Sequence, residues 1–209
     1  MKTILFDLDG TLLDSSPGIR HCFIKTFKEL GLPVPNNQTI QSFIGPPLET
    51  TFKTINPNPE FIQRAIQTYR HYYQETGVYD ATVYEGIVQA LEELVRSGYQ
   101  LFITTSKNQE MATLMMKHFK LDKYFTAIYG STPTAFIKAD VIKRVINDYH
   151  LTLHETCIIG DTKFDIIGGK TIGIKTIAVT WGFGQSKDLA QANAVIKQPS
   201  DIKKALETI

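Results

Sequence analysis

Asp7 and Asp9 stand two residues apart at the end of an apolar run, in Thr3-Ile4-Leu5-Phe6-Asp7-Leu8-Asp9-Gly10-Thr11. A second acidic pair, Asp161 and Asp165, follows Cys157-Ile158-Ile159-Gly160. Thr105, Ser106 and Lys107 come directly after Leu101–Thr104, and Lys138 opens a helical pattern after the loop Gly130–Ile137. If the apolar runs are parallel strands, these groups meet at one sheet edge. Four carboxylates at close range repel one another and call for a cation. An all-oxygen set without histidine or cysteine suits Mg²⁺. Lys138 adds a fixed positive charge, while Thr105, Ser106 and the Gly10-Thr11 turn offer hydroxyls and backbone N–H groups. Such a group would cradle a phosphoryl dianion. Asp7, held directly at the strand end, is then placed to be a nucleophile forming an aspartyl-phosphate. Asp9, two residues on, would protonate the departing oxygen and later activate water.

The elements that must position these groups are legible from periodicity. Thr3–Phe6 predicts the first strand. A helix is expected over Pro17–Leu30, with Ile19, Phe23, Phe27 and Leu30 on one face, Ser16 as N-cap, Pro17 in the first turn and Gly31 as its stop. Residues 33–59 hold six of the nine prolines, which leaves room only for short helices. Phe61 to Glu75 predicts another helix, burying Phe61, Ala65, Tyr69 and Tyr72 or Tyr73 and closed by Gly77.

From residue 85 strands and helices alternate. Strands are expected over Tyr99–Thr104, Phe125–Tyr129, Thr156–Ile159, Ile174–Val179 and Ala194–Ile196. The helices between them carry Ile87–Val95, Met111–Phe119, Val141–Tyr149 and residues 164–172. This pattern predicts an α/β fold: a Rossmann-like parallel sheet with helices on both faces, which binds ligands beyond the carboxyl ends of its strands. A core formed by 1–15 and 81–209 would carry the site. Residues 16–80 would form a small helical domain inserted after the first strand.

Composition narrows the function classes. Of 209 residues, 43% are hydrophobic and 21% charged, so the chain can bury a full core. The 22 basic and 21 acidic residues nearly cancel, which argues against nucleic acid as the main partner. Asp7 and Asp9 interrupt the N-terminal apolar run, which therefore resembles neither a signal peptide nor a span, and no membrane association is expected. Two cysteines suit a reducing cytoplasm. The expected partner is a small phosphorylated metabolite, with the chain a monomer or weak homodimer.

The same residues carry a family resemblance. Asp7-Leu8-Asp9-Gly10-Thr11 resembles the first motif of the haloacid dehalogenase-like hydrolases. Ile103-Thr104-Thr105-Ser106-Lys107 is similar to their second motif, Lys138 to their third, and Gly160-Asp161-Thr162-Lys163-Phe164-Asp165 to their fourth. The segments Val179–Gly184 and Phe43–Leu48 resemble the phosphoglycolate phosphatase-like branch. The resemblance implies a Mg²⁺-dependent phosphatase, with the helical insert as its cap. Asp7 would be nucleophile and metal ligand. Asp9 would be general acid and base, lending its carbonyl to the metal. Thr105 would hold the transferring phosphoryl group, together with Gly10, Thr11 and Ser106. Lys138 would neutralise it, and Asp161 and Asp165 would complete the metal site. Ser106 departs from the asparagine common in this branch, which leaves its backbone N–H as the expected contact.

Blander readings attach to the neighbours. Lys107 is as consistent with an exposed lysine at a helix start as with positive potential near the phosphate. Trp181 and Phe183 read mainly as loop packing, Arg20 and His21 as a solvated face, and Asp14 to Ser16 as a hinge and cap. Lys143 rivals Lys138 by charge but lies further into the helix. His150, His154 and Cys157 lack a fourth zinc ligand, so Cys157 reads as a buried structural thiol. Two other functions stand beside it: a sugar phosphomutase of the same family, and a non-enzymatic phospho-aspartate switch module, which also uses an aspartate, Mg²⁺ and a lysine but is shorter, lacks a cap and carries its aspartate at a later strand.

Overall fold

The computed structural model describes all 209 residues. They form two compact units: Met1–Asp14 with Val83–Ile209, and Ser15–Thr82.

The smaller unit holds four helices: α1 (Ser16–Glu29), α2 (Asn37–Gln41), α3 (Leu48–Ile55) and α4 (Pro59–Glu75). The N-cap of α1 is Ser15, one residue earlier than the sequence suggests, because Ser16 already has helical geometry. Asn58 caps α4, its side chain accepting from the backbone N–H groups of Glu60 and Phe61. The core is aromatic. Phe23 lies with its ring centroid 4.7 Å from Tyr69, 5.1 Å from Phe43 and 5.8 Å from Phe52. Tyr73, rather than Tyr72, faces this core from α4. Gly77 also differs from expectation. It does not stop the helix through a left-handed residue; it starts a 3₁₀ turn, Gly77–Tyr79, and lets that turn approach α1. A Cβ on Gly77 would overlap Cys22 Sγ at 2.5 Å, and one on Gly18 would strike the Gly77 carbonyl.

The larger unit carries the strands β1 (Thr3–Phe6), β2 (Leu13–Asp14), β3 (Thr82–Val83, at the unit boundary), β4 (Gln100–Asn108), β5 (Ala127–Ser131), β6 (Thr156–Gly160), β7 (Lys175–Val179) and β8 (Ala194–Ile196). Six of them form one parallel sheet in the order β5-β4-β1-β6-β7-β8. Its helices are α5 (Ile87–Arg96), α6 (Gln109–His118), α7 (Lys138–Tyr149), α8 (Lys163–Ile172), α9 (Ser186–Leu189) and α10 (Ile202–Thr208). α9 and α10 lie in segments without a clear periodic signal. No helix is long and apolar enough to cross a membrane.

The sheet is an α/β Rossmann-like fold, and its strand order reverses at β1. From β1 the chain first builds outward through β4 and β5, then returns to the other side for β6, β7 and β8. Ligands of such sheets bind where the order reverses, outside the strand carboxyl ends. The central strands read as unbroken apolar runs because both faces are covered. Leu5 pairs in register with Phe102 and Ile158, and the three pack against Ile142 and Val145 of α7 and against Ile174. Cys157 lies in the buried β6, where burial pushes its thiol up to about 12, as suits an inert structural cysteine.

One strand departs from expectation in a way that bears on the site. The apolar run ending at Thr104 predicts a strand that stops there, but β4 continues to Asn108. Thr104 pairs with Tyr129 and Asn108 with Ser131, so β4 spends two extra residues over the same span. Such a bulge bends a strand and re-aims its side chains. Gln109 braces it, its side-chain amide donating to the Ile128 carbonyl and its carbonyl accepting from the Gly130 N–H, both at 2.8 Å. Gly130 leaves the space: a Cβ there would stand 2.6 Å from the Lys107 carbonyl and from Gln109 Cα.

The aromatic core of the smaller unit gives a direct test. Phe23→Ala removes the ring that three others contact and should cost about 3–5 kcal/mol. Urea denaturation followed by far-UV circular dichroism should report the loss; a cost below about 1 kcal/mol would contradict this packing.

Candidate active site

β1 delivers Asp7 to the point where the strand order reverses. Phe6 pairs with Ile103 on one side and Ile159 on the other, and the Asp7 N–H donates to the Ile159 carbonyl at 2.9 Å. The next residues along β4 and β6 are Thr104 and Gly160, so the polar strand ends converge on Asp7. The chain then folds back at once. The N–H groups of Thr11, Leu12 and Leu13 all donate to the Leu8 carbonyl, and the Gly10 N–H donates to Leu13. Gly10 has φ +82°, and a Cβ there would overlap the Asp161 carboxylate, so only glycine lets this turn close over the site.

Asp7, Asp161 and Asp165 are all buried, and one carboxylate oxygen from each lies within 4.8 Å of the others. Lys138 is threaded between two of them. Its ammonium lies 2.7 Å from Asp7 Oδ1 and 2.7 Å from Asp165 Oδ1, and it donates to the Thr104 carbonyl at 2.9 Å. Its three N–H donors thus have three acceptors. Gly168 on α8 makes room, since a Cβ there would sit 2.8 Å from Lys138 Cγ. Lys143 points to solvent, so geometry distinguishes the two lysines where charge alone does not.

Each remaining carboxylate is fixed by its own donors. Asp161 Oδ1 accepts from Thr11 Oγ1 at 2.9 Å, and its Oδ2 from the Phe183 N–H at 2.8 Å. Asp165 is the third residue of α8 and reaches back with Oδ2 to the Thr162 N–H at 3.0 Å and hydroxyl at 2.8 Å. This reciprocal contact at a helix start fixes its rotamer. With its other oxygen on Lys138, Asp165 is engaged at both ends, as Asp161 is by Thr11 and Phe183, whereas Asp7 is held through Oδ1 by Lys138.

The charges do not balance within the chain. Three buried carboxylates surround one buried ammonium, which leaves two negative charges when all three are ionised. Burial, followed by the nearby Asp165, pushes the Asp7 carboxyl up to about 7, with Lys138 opposing the rise. Burial likewise raises Asp161 well above the ordinary carboxylate value, and Asp165 and Asp7 add to it. Lys138 is pushed upward by Asp165 and Asp7 despite its burial, so it stays charged. A divalent cation with oxygen ligands fits this set in charge and in ligand chemistry.

Asp9 is oriented differently. Its carboxylate turns to Lys107, whose ammonium lies 3.0 Å from Asp9 Oδ2. Lys107 is not the exposed helix-start lysine that the sequence allowed. It lies on the bulged end of β4, and its side chain is only 8% exposed. In the same bulge Thr105 is buried, and its hydroxyl accepts from the Lys107 N–H at 3.2 Å. Ser106 is half-buried between them.

The loop after β7 contributes more than packing. Trp181 Nε1 donates to the Thr11 carbonyl at 3.0 Å, and the Phe183 N–H holds Asp161. A Cβ on Gly182 would overlap the Gly10 carbonyl, and one on Gly184 the Asp161 carbonyl. The signal was present as Gly182-Phe183-Gly184 after an apolar strand. Its function needed the contact to become visible.

Comparison with known proteins places this arrangement. A family described as haloacid dehalogenase-like hydrolase matches residues 4–179. A 5'-nucleotidase of Pseudomonas aeruginosa is 35% identical over 189 residues, covering 89% of this chain and 86% of that protein. A pyrophosphatase, PpaX, of Halalkalibacterium halodurans is 32% identical over 181 residues, covering 86% and 83%. A solved structure of a haloacid dehalogenase-like family hydrolase from Streptococcus pneumoniae is 44% identical, with a TM-score of 0.92 over 98% of this chain and 97% of that one. With its first carboxylate pair at the end of β1 and its remaining charged groups gathered from β4, α7 and α8, the chain belongs to the haloacid dehalogenase-like hydrolases.

Proposed function

We propose that the chain is a Mg²⁺-dependent phosphatase of a small phosphomonoester, working through an aspartyl-phosphate on Asp7. The observation that carries this reading is the buried, rigid Asp7 carboxylate, held by Lys138 inside a cluster with two uncompensated negative charges. The substrate class is a phosphoglycolate-like compound, a nucleotide or a sugar phosphate. Among the named relatives the 5'-nucleotidase supports a nucleotide, and the pyrophosphatase adds pyrophosphate as a candidate outside this range.

The chain's own residues supply the steps. Lys138 fixes Asp7 Oδ1 and sets the attack direction of the carboxylate. Thr105 and Ser106 orient the phosphoryl group. Gly10 and Thr11 close the turn instead of offering the donors that the sequence suggested: their N–H groups donate to the Leu13 and Leu8 carbonyls, and the Thr11 hydroxyl donates to Asp161. Asp7 forms a bond to phosphorus as the bond to the leaving oxygen breaks, and Asp9 gives that oxygen a proton. Asp9, now a carboxylate, takes a proton from the water that attacks phosphorus. The bond to Asp7 breaks, releasing phosphate and restoring both aspartates. Asp7 and Asp161, with the Asp9 carbonyl, would hold Mg²⁺, and Asp165 would orient Lys138 and the end of α8. Bound there, the cation offsets the clustered negative charge and polarises the phosphoryl oxygens.

Phosphate release from phosphoglycolate, nucleoside monophosphates, sugar phosphates, pyrophosphate and p-nitrophenyl phosphate tests the reading. Turnover is expected with Mg²⁺ and is lost in EDTA. Conversion of β-glucose 1-phosphate to its isomer, or a long-lived phospho-Asp7 without turnover, would replace it with the mutase or the switch reading.

Asp7→Asn should lower kcat by about a thousandfold or more in a folded protein; retained turnover would remove Asp7 as nucleophile. Lys138→Met leaves the carboxylates without their ammonium and should destabilise the metal-free protein by about 3–5 kcal/mol. Thermal unfolding of the metal-free variant should show that loss, and an unchanged melting temperature would contradict the buried pairing.

The pH dependence has a definite sign. Folded Asp7 binds its proton more tightly than the unfolded chain does. Its contribution is therefore full below about pH 4 and lost as pH rises through about 7. The metal-free melting temperature should carry a falling component between pH 5.5 and 8. The gain from Mg²⁺ should grow over the same window, because protons no longer compete. A Mg²⁺ gain that is equal or larger at pH 5.5 would contradict this account.

A further inference from the structure

The two site lysines hold different partners. Lys138 grips Asp7, which attacks phosphorus, while Lys107 grips Asp9, which serves the departing oxygen. The phosphorus must lie between those carboxylates, so Lys107 sits on the leaving-group side. An Asp9 carboxyl acting as acid stands within about 3 Å of the leaving oxygen. With the Lys107 ammonium 3.0 Å beyond Asp9 Oδ2, that ammonium lies within about 6 Å of the leaving oxygen. This distance matches a carboxylate or phosphate oxygen two or three bonds further along a leaving group.

The lysine is built in rather than incidental. The two-residue bulge of β4 carries it, Gln109 braces the bulge, and Gly130 makes the space. An 8% exposed side chain on such a support is a preorganised charge, not a flexible surface lysine. An ammonium carries three N–H donors and can span Asp9 and an incoming anion together. The metal cluster is balanced by Lys138 and a divalent cation without Lys107, so the Lys107 charge is set against Asp9, on the leaving-group side.

We infer that Lys107 is a specificity-determining residue that selects phosphate esters and anhydrides whose leaving group itself carries an anionic group. This inference rests on the phosphatase reading above, and it narrows the substrate class within it.

The test compares wild type with Lys107→Met, Lys107→Gln and Lys107→Arg in Mg²⁺, with thermal unfolding to establish that each is folded. The anionic leaving groups are those of phosphoglycolate and pyrophosphate; the uncharged ones are those of ethyl phosphate and p-nitrophenyl phosphate. Either neutral variant should lose about tenfold or more additional kcat/KM on the anionic pair, as one charge-assisted hydrogen bond would supply. Lys107→Arg should recover part of it. Binding gives an independent readout: calorimetry should show wild type preferring phosphonoacetate to ethylphosphonate by about tenfold, and the neutral variants losing that preference. A role confined to Asp9 would follow the basicity of the leaving oxygen, lowering phosphoglycolate and ethyl phosphate alike and p-nitrophenyl phosphate least, and would leave the ligand preference unchanged, which would overturn the inference while leaving the phosphatase reading intact. A wild type without preference for the anionic substrates overturns it equally. A folded wild type that hydrolyses none of the four overturns both.

Discussion

Everything in the larger unit is arranged around a charge that the chain does not cancel. Asp7, Asp161 and Asp165 are buried together with one ammonium, Lys138, among them. Burying such a set is costly unless every group is held and the surplus is compensated. The structure holds each group. Lys138 uses its three donors on Asp7, Asp165 and the Thr104 carbonyl, Asp161 accepts from Thr11 and Phe183, and Asp165 is locked by Thr162. What it leaves, with all three carboxylates ionised, is two negative charges that fit a divalent cation in charge and in ligand chemistry.

That requirement explains features that look unrelated along the chain. Gly10, Gly160 and Gly182 lie far apart in sequence, yet each lacks a Cβ where one would collide with Asp161 or Asp165. Gly168 makes way for Lys138 in the same sense. The strand order supplies the stage. Because it reverses at β1, neighbouring strands diverge beyond Asp7 and open a crevice into which α7 and α8 send their first residues.

The bulge in β4 divides the polar groups into two sets with different charge partners. On one side Lys138 and three carboxylates form the buried cluster. On the other Asp9 and Lys107 form a paired, partly exposed region, the Asp9 side chain being 18% exposed. A regular strand would have ended at Thr104 and put Lys107 on a helix. Two extra residues, braced by Gln109, turn it inward. In the proposed reaction this separation gives attack and departure different charges.

Apolar run length and periodicity were enough for the alternation of elements, the parallel sheet and the strand-end placement of Asp7 and Asp161, because buried parallel strands read as short apolar runs and end where polar residues begin; Thr105, expected just past a strand, lies within β4. The sequence also picked out Lys138 and Asp165 through motif spacing. It could not show that Lys107 turns inward, that Phe183 and Gly182 serve Asp161, or that Asp165 braces Lys138 while Asp9 faces away. Those depend on a register shift between β4 and β5 and on backbones from distant segments approaching within a Cβ of one another. Periodicity reports which face a residue lies on. Only packing decides which partner it meets there, because that choice is made by strand order, bulges and missing Cβ atoms contributed by the rest of the chain.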